Sequence, residues 1–160
     1  MIKLIITGGT IDKQYNELNG ELHFPKTHIP QMLQQARCTA ELETQQLMLK
    51  DSLEMQEADR DAIYQACLAT DAQQIIITHG TDTMVDTAKY LATILADKSI
   101  VLVGAMVPYT IKNSDALFNL GCAVTAVQLL PAGIYLTMNG KVFNWNNVSK
   151  DKQAGQFIAK

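Results

Sequence analysis

Hydrophobic residues arrive along this chain in short, nearly unbroken runs, separated by stretches with a helical rhythm. Residues 2–7 (IKLIIT) form a β-branched run that stops at Gly8-Gly9, residues 74–78 (QIIIT) stop at His79-Gly80, and residues 99–103 (SIVLV) stop at Gly104. Runs without polar alternation predict central strands buried on both faces. Between them, apolar positions recur every three or four residues. A helix is predicted over residues 29–36 after Thr27, and another over 56–69, with Ile63, Ala66, Cys67 and Thr70 on one face. Two more are predicted, over 84–95 with Met84, Ala88, Leu91 and Leu95, and over 115–130 with Leu117, Leu120, Val124 and Val127. Strands alternating with helices predict an α/β fold of three layers, a mainly parallel sheet flanked by helices.

Residues 13–26 break the alternation. The polar stretch KQYNELNGELHF, with Asn19-Gly20 near its middle, predicts a hairpin flap inserted after the first strand. A second hairpin is predicted from residues 133–137 and 141–143 around Met138-Asn139-Gly140. Residues 144–160 are polar and weakly periodic, and predict no element. With no internal repeat, low-complexity tract or linker, residues 1–160 read as one domain of Rossmann- or flavodoxin-like type.

Composition narrows the function classes. At 160 residues and 48% hydrophobic, the chain is long enough to bury about 70% of its unfolded surface without disulfides or a structural metal. The 13 Lys and Arg are scattered among 16 Asp and Glu, giving a net charge of −3. There is no basic stripe, so no nucleic-acid partner is expected. Cys38, Cys67 and Cys122 show no CxxC spacing and suggest reduced thiols. No apolar run approaches the ~20 residues that cross a bilayer, and MIKLIITGGTID reads as a buried strand, not a signal peptide. A cytoplasmic protein with no membrane partner is expected. His23, His28 and His79 form no ligand pair, so no metal is expected.

Ligands of open parallel sheets bind beyond the carboxyl ends of the strands. Three such ends release chemically loaded loops: Thr7-Gly8-Gly9-Thr10, His79-Gly80-Thr81-Asp82-Thr83 and Gly104-Ala105-Met106. Taken alone, TGGT fits a turn, a helix cap or a phosphate cradle for a nucleotide or flavin as well as it fits a nucleophile. Asp82 is equally readable as the N-cap of the following helix.

The two segments IITGGTID (5–12) and IITHGTDTM (76–84) resemble the signatures of the bacterial-type L-asparaginase/glutaminase family. LKDSLEM (49–55), VGAMVP (103–108), SDALFNL (114–120) and VSK (148–150) match in the same order. The resemblance implies the amino-terminal α/β domain of an enzyme that hydrolyses a side-chain carboxamide to carboxylate and ammonia, with the family's smaller carboxy-terminal domain expected to be absent. It implies Thr10 as nucleophile; Thr81, Asp82 and Lys150 as the activating set; Ser52 for the substrate α-carboxylate; Asp82 for the α-ammonium; and Gly80, Thr81 and Ala105 as further contacts. The family's flap tyrosine maps only onto Tyr15, closer to Thr10 than usual; Tyr109 reads as packing. No cofactor is implied. Active relatives are intimate pairs of subunits, so a homodimer or higher homo-oligomer is expected.

The chemistry is coherent on physical grounds. A Thr hydroxyl attacks only when a base takes its proton, and a carboxamide yields only when its developing oxyanion meets donors. Lys150 serves as a base only as the neutral amine, which burial favours and a neighbouring Asp82 carboxylate opposes. The Thr81 N–H, near a helix start, is a candidate oxyanion donor. Asn146-Asn147 replace a charged Arg-Asp pair common in the family. An amino-acid-binding module without turnover and a flavodoxin-like FMN carrier are the competing readings, the latter weakened by an aromatic content of 6%.

Overall fold

The computed structural model describes residues 1–93 and 97–160. Its centre is a six-stranded sheet built from β1 (Ile2–Gly8), β4 (Leu42–Lys50), β5 (Gln74–Thr78), β6 (Ser99–Val103), β7 (Gly133–Met138) and β8 (Lys141–Asn144). They lie in the order β4-β1-β5-β6-β7-β8, parallel except for β8. Helices α1 (Ile29–Gln35), α2 (Glu57–Ala69), α3 (Met84–Ala92) and α4 (Ala116–Leu129) cover its two faces. The alternation of side chains along each strand divides the core in two. On one face Ile5, Ile75, Ile77, Ile100 and Leu102 meet Ile63 and Cys67 of α2 and Met84, Ala88 and Leu91 of α3. On the other, Leu4, Ile6, Ile76, Val101 and Val103 meet Ile29 and Met32 of α1 and Ala116, Leu120 and Val127 of α4.

The three central strands and four helices fall where the hydrophobic pattern puts them, within one residue at each end except for the third helix. That one ends at Ala92, and the expected Leu95 lies outside the described residues. In α4 the buried face runs through Ala116, Asn119, Leu120, Ala123 and Val127, leaving Leu117 and Val124 half-buried. The β7–β8 hairpin turns at Asn139-Gly140, both at positive φ (50° and 83°), as a two-residue primed turn requires.

Three elements differ from the expectations. The flap is a hairpin of β2 (Gln14–Tyr15) and β3 (Leu22–His23), closed by a six-residue loop and not by a tight Asn-Gly turn. Asn16 closes that loop, its N–H donating to Glu21 and its carbonyl accepting from Gly20. Strand β4 had no hydrophobic signature because it is an edge strand with mostly exposed or half-exposed side chains. Finally, residues 149–158 form a hairpin, β9 (Ser149–Asp151) with β10 (Gln156–Ile158). A few apolar anchors suffice for it: Val148 and Phe157 are buried in the α2/α3 side of the core, with Phe157 6.5 Å from Phe143. Among the described residues no helix is long and apolar enough to cross a membrane.

Candidate active site

The order in which strands are added reverses at β1. From β1 the chain passes to α1 on one face of the sheet; from its neighbour β5 it passes to α3 on the other. Two adjacent strands whose exits diverge leave a crevice beyond their carboxyl ends. Thr10 and the His79–Thr83 loop emerge there.

Missing side chains hold that crevice tight. Gly9 has φ 80° and ψ 178°, and a Cβ on it would stand 2.6 Å from the Gly80 Cα. A Cβ on Gly80 would in turn meet Ser52 Oγ and Cβ, the latter at 2.6 Å. The exits of β1, β4 and β5 therefore touch backbone to backbone. Below them, Thr7 Oγ1 donates to the Thr78 carbonyl at 2.6 Å and the Thr7 N–H donates to Thr78 Oγ1 at 3.2 Å.

Across this junction lies Lys150. Its Nζ donates to Thr81 Oγ1 and to Asp82 Oδ1, each at 2.7 Å, although the partners are 69 and 68 residues away in sequence. The Lys150 side chain is 12% exposed and that of Asp82 35%. Thr81 is buried. The β9–β10 hairpin makes this reach possible: Lys150 is paired in register with Phe157, whose ring is fixed in the core. Asp82 does not cap α3; the N-cap is Thr83, and Asp82 faces the lysine instead. Thr81 precedes the helix by three residues, in a turn.

The second carboxylate nearby is Asp51, which forms an ion pair with Lys13 at the base of the flap and accepts the Leu53 N–H. Burial alone would raise its pKa. The Lys13 bond, the Leu53 N–H and the charges of Lys13 and Lys150 outweigh that and hold the carboxyl below its ordinary value. Ser52 is 1% exposed; its Oγ accepts the Thr83 N–H at 3.3 Å and its carbonyl accepts Thr83 Oγ1 at 2.8 Å. Because that Oγ acts as an acceptor here, its proton is left for another partner. Ala105 is buried, and the loop beyond it is held by Asp115, which accepts the Met106 and Val107 N–H groups at 3.0 Å. Burial would raise the Asp115 pKa, but these bonds and the Asn139 amide prevail and lower it.

Thr10, Ser52, Gly80, Thr81, Asp82, Ala105 and Lys150 thus come from the exits of four parallel strands and the last hairpin. Tyr15 stands apart in the flap, 53% exposed, lining a groove toward α1 that contains none of those seven. Asn147 accepts the Lys160 N–H at 3.1 Å, tying the chain on either side of the last hairpin together. Three residues to which sequence reasoning gave no role matter here: Asp51, its partner Lys13, and Asp12. Asp12 is fully buried and accepts the His28 N–H at 2.7 Å and Thr27 Oγ1 at 3.1 Å, anchoring the returning end of the flap. Its partners lie fifteen and sixteen residues downstream, beyond any local pattern.

His79 supports the loop from beneath. Its Nδ1 lies 2.8 Å from the Gly80 carbonyl, so that nitrogen must carry the proton; Nε2 then accepts from Thr87 Oγ1 at 2.8 Å. Arg60 Nε donates to the same hydroxyl at 3.2 Å. Burial, aided by the Arg60 charge and opposed by Gly80 and Asp86, pulls the His79 pKa from 6.5 down to about 4. Burial pushes Asp12 the other way, from 3.8 up to about 6, against the opposing His28 and Thr27 bonds.

These two groups act on stability with opposite sign. The folded state holds the Asp12 proton more tightly than the unfolded chain, so that contribution is present in acid and is lost as pH rises through about 6. The unfolded chain holds the His79 proton more tightly, so stability from His79 is lost as pH falls from 6.5 toward about 4. Between about pH 4 and 6 the slopes offset, and the natural chain should show nearly level stability. Asp12→Asn should become less stable on acidification across that window, and His79→Gln more stable. Urea midpoints at its two ends check this; three parallel profiles would refute it.

The pattern of the family described as "Asparaginase, N-terminal" matches residues 1–156. This chain belongs to the asparaginase family. It is 33% identical over 161 residues to an L-asparaginase of Thermococcus kodakarensis, covering 96% of this chain and 49% of that protein. The structure of the thermostable L-asparaginase from that organism superposes with a TM-score of 0.86 at 32% identity, over 99% of this chain and 51% of the other. L-asparaginase I from Vibrio cholerae shares the fold, with a TM-score of 0.87 at 22% identity over 99% and 50% of the two chains. The asparaginase-family chain spans about half the length of these relatives.

Proposed function

We propose that this chain is an amidohydrolase that converts the side-chain amide of L-asparagine to L-aspartate and ammonia, with minor action on L-glutamine. The observation that carries the reading is the Lys150 amine bridging Thr81 and Asp82 directly beside the Gly9–Gly80 contact from which Thr10 emerges. In the first half of the cycle Thr10 Oγ bonds to the amide carbon, the C–N bond breaks, and the hydroxyl proton leaves with ammonia. In the second, water adds to the ester carbon, the C–Oγ bond breaks, and Thr10 recovers a proton. Thr81 and Lys150 pass the protons, Asp82 and Ser52 receive the α-ammonium and α-carboxylate, and backbone groups at Gly80, Thr81 and Ala105 line the reacting amide. For Tyr15 to close over substrate, the flap has to swing away from the α1 groove that the tyrosine lines.

The reading includes residues 1–160 acting as one amino-terminal-type domain, paired in a homodimer or larger homo-oligomer, in the cytoplasm. The three cysteines, all free among the described residues, support that compartment. Ammonia release across L-asparagine, L-glutamine, simple carboxamides and short peptides tests the reaction: saturable release, fastest from L-asparagine, is expected. Saturable binding of L-asparagine without ammonia would replace the enzyme by a binding module. Light scattering at micromolar concentration tests assembly, and an active monomer would remove the dimer from the reading.

A further inference from the structure

A groove of about 650 Å³ lies between the flap, α1 and the loop after β6, away from the strand-end cluster. Lys26, His28, Gln31, Gln35, Tyr15 and Tyr109 dominate its wall. His28 is only 4% exposed, and neither ring nitrogen makes a hydrogen bond of good geometry among the described residues, the Gln31 side chain being the polar group that approaches it. A buried polar atom left unpaired costs about 1–3 kcal/mol, so a weakly satisfied ring in a groove wall favours a further partner there.

The chemistry of that partner follows from the wall. Tyr109 donates its hydroxyl to Gln35 Oε1 at 2.5 Å, which occupies the amide's acceptor and leaves its NH₂ to donate. Lys26 supplies the positive charge, and no acidic side chain lines the groove. Burial and the Lys26 charge, against a smaller hydrogen-bonding pull from the Gln31 side chain, lower the His28 pKa and favour the neutral ring, which carries a single N–H. The tilted His28 and Tyr109 rings, 5.9 Å apart, together with Ile111 offer an apolar flank. Donors with a cation suit an anion; the want of any carboxylate leaves an ammonium group unreceived.

We propose that this groove is a second ligand site, which takes a small organic carboxylate carrying no ammonium group. It spans both ends of the flap, Gln14 and Tyr15 on the outgoing strand and Lys26 and His28 on the return, so an occupant clamps the flap against α1. The proposal does not rest on the amidase reading.

Succinate and L-aspartate, which differ by the ammonium group, form the test. Titrated into the isotope-labelled full chain, succinate should shift the amides of His28, Gln31 and Tyr109 saturably, with L-aspartate about tenfold weaker at those resonances. Lys26→Ala, at an exposed position, should weaken succinate about fivefold or more, while Lys150→Met should leave those shifts in place. No saturable shift below about 20 mM, equal response to L-aspartate, indifference to Lys26→Ala, or loss of the shifts in Lys150→Met would each overturn the site.

Discussion

Thr10→Ala is expected to lower ammonia release from L-asparagine by about 10³-fold or more, because no other hydroxyl leaves the β1 exit to form the ester. Lys150→Met belongs in the same experiment. It removes the amine that bridges Thr81 and Asp82 but keeps most of the stem and the backbone pairing with Phe157, so a loss of about 10²–10⁴-fold is expected with little change in unfolding. The pair separates two failures. Turnover that survives Thr10→Ala removes the nucleophile; turnover that survives only Lys150→Met leaves the nucleophile and removes the proton relay. Steady-state rates together with a urea midpoint for each variant are sufficient to decide.

Gly9→Ala should be strongly destabilising for the addition of a single methyl. The φ of 80° with ψ near 180° lies in a region that is essentially glycine's alone, at about 1–3 kcal/mol for another residue. The added Cβ would also sit 2.6 Å from the Gly80 Cα, where neither backbone can yield without moving Ser52, and overpacking of that kind costs about 1–3 kcal/mol more. Together these terms rival the lower end of a small domain's stability. Gly121→Ala is the control: it lies inside α4 with nothing within 4 Å, and should be neutral or up to about 1 kcal/mol stabilising. Equal urea midpoints for the two variants would contradict the close-approach account.

How much of this was readable beforehand depended on burial. β1, β5 and β6 are covered on both faces, so their residues form unbroken apolar runs, and the four helices carry a buried stripe at their own period. β4 gave no sign of itself because, at the sheet edge, its Leu42, Leu47, Met48 and Leu49 are only half-buried and polar residues interrupt them. The last hairpin was equally silent, since Val148 and Phe157 are its only fully buried apolar anchors. The ordered motifs named Thr81, Asp82 and Lys150, and those three are in contact. They gave no role to Lys13, Asp51 or Asp12, whose pairings cross from flap to strand exit or from one end of the flap to the other. Such partners are neighbours only in three dimensions. Tyr15, singled out because it was the lone tyrosine in its stretch, faces toward α1 and its groove.

The lysine that completes the strand-end cluster rides on a late element, added after every strand of the main sheet is already in place. A nascent polypeptide could therefore assemble both hydrophobic layers and the threonine-bearing turns while still lacking its ammonium bridge. On the proposed amidase reading, competence would be conferred by one late docking event, the seating of a phenylalanine, so copies in which that hairpin is undocked would remain inert.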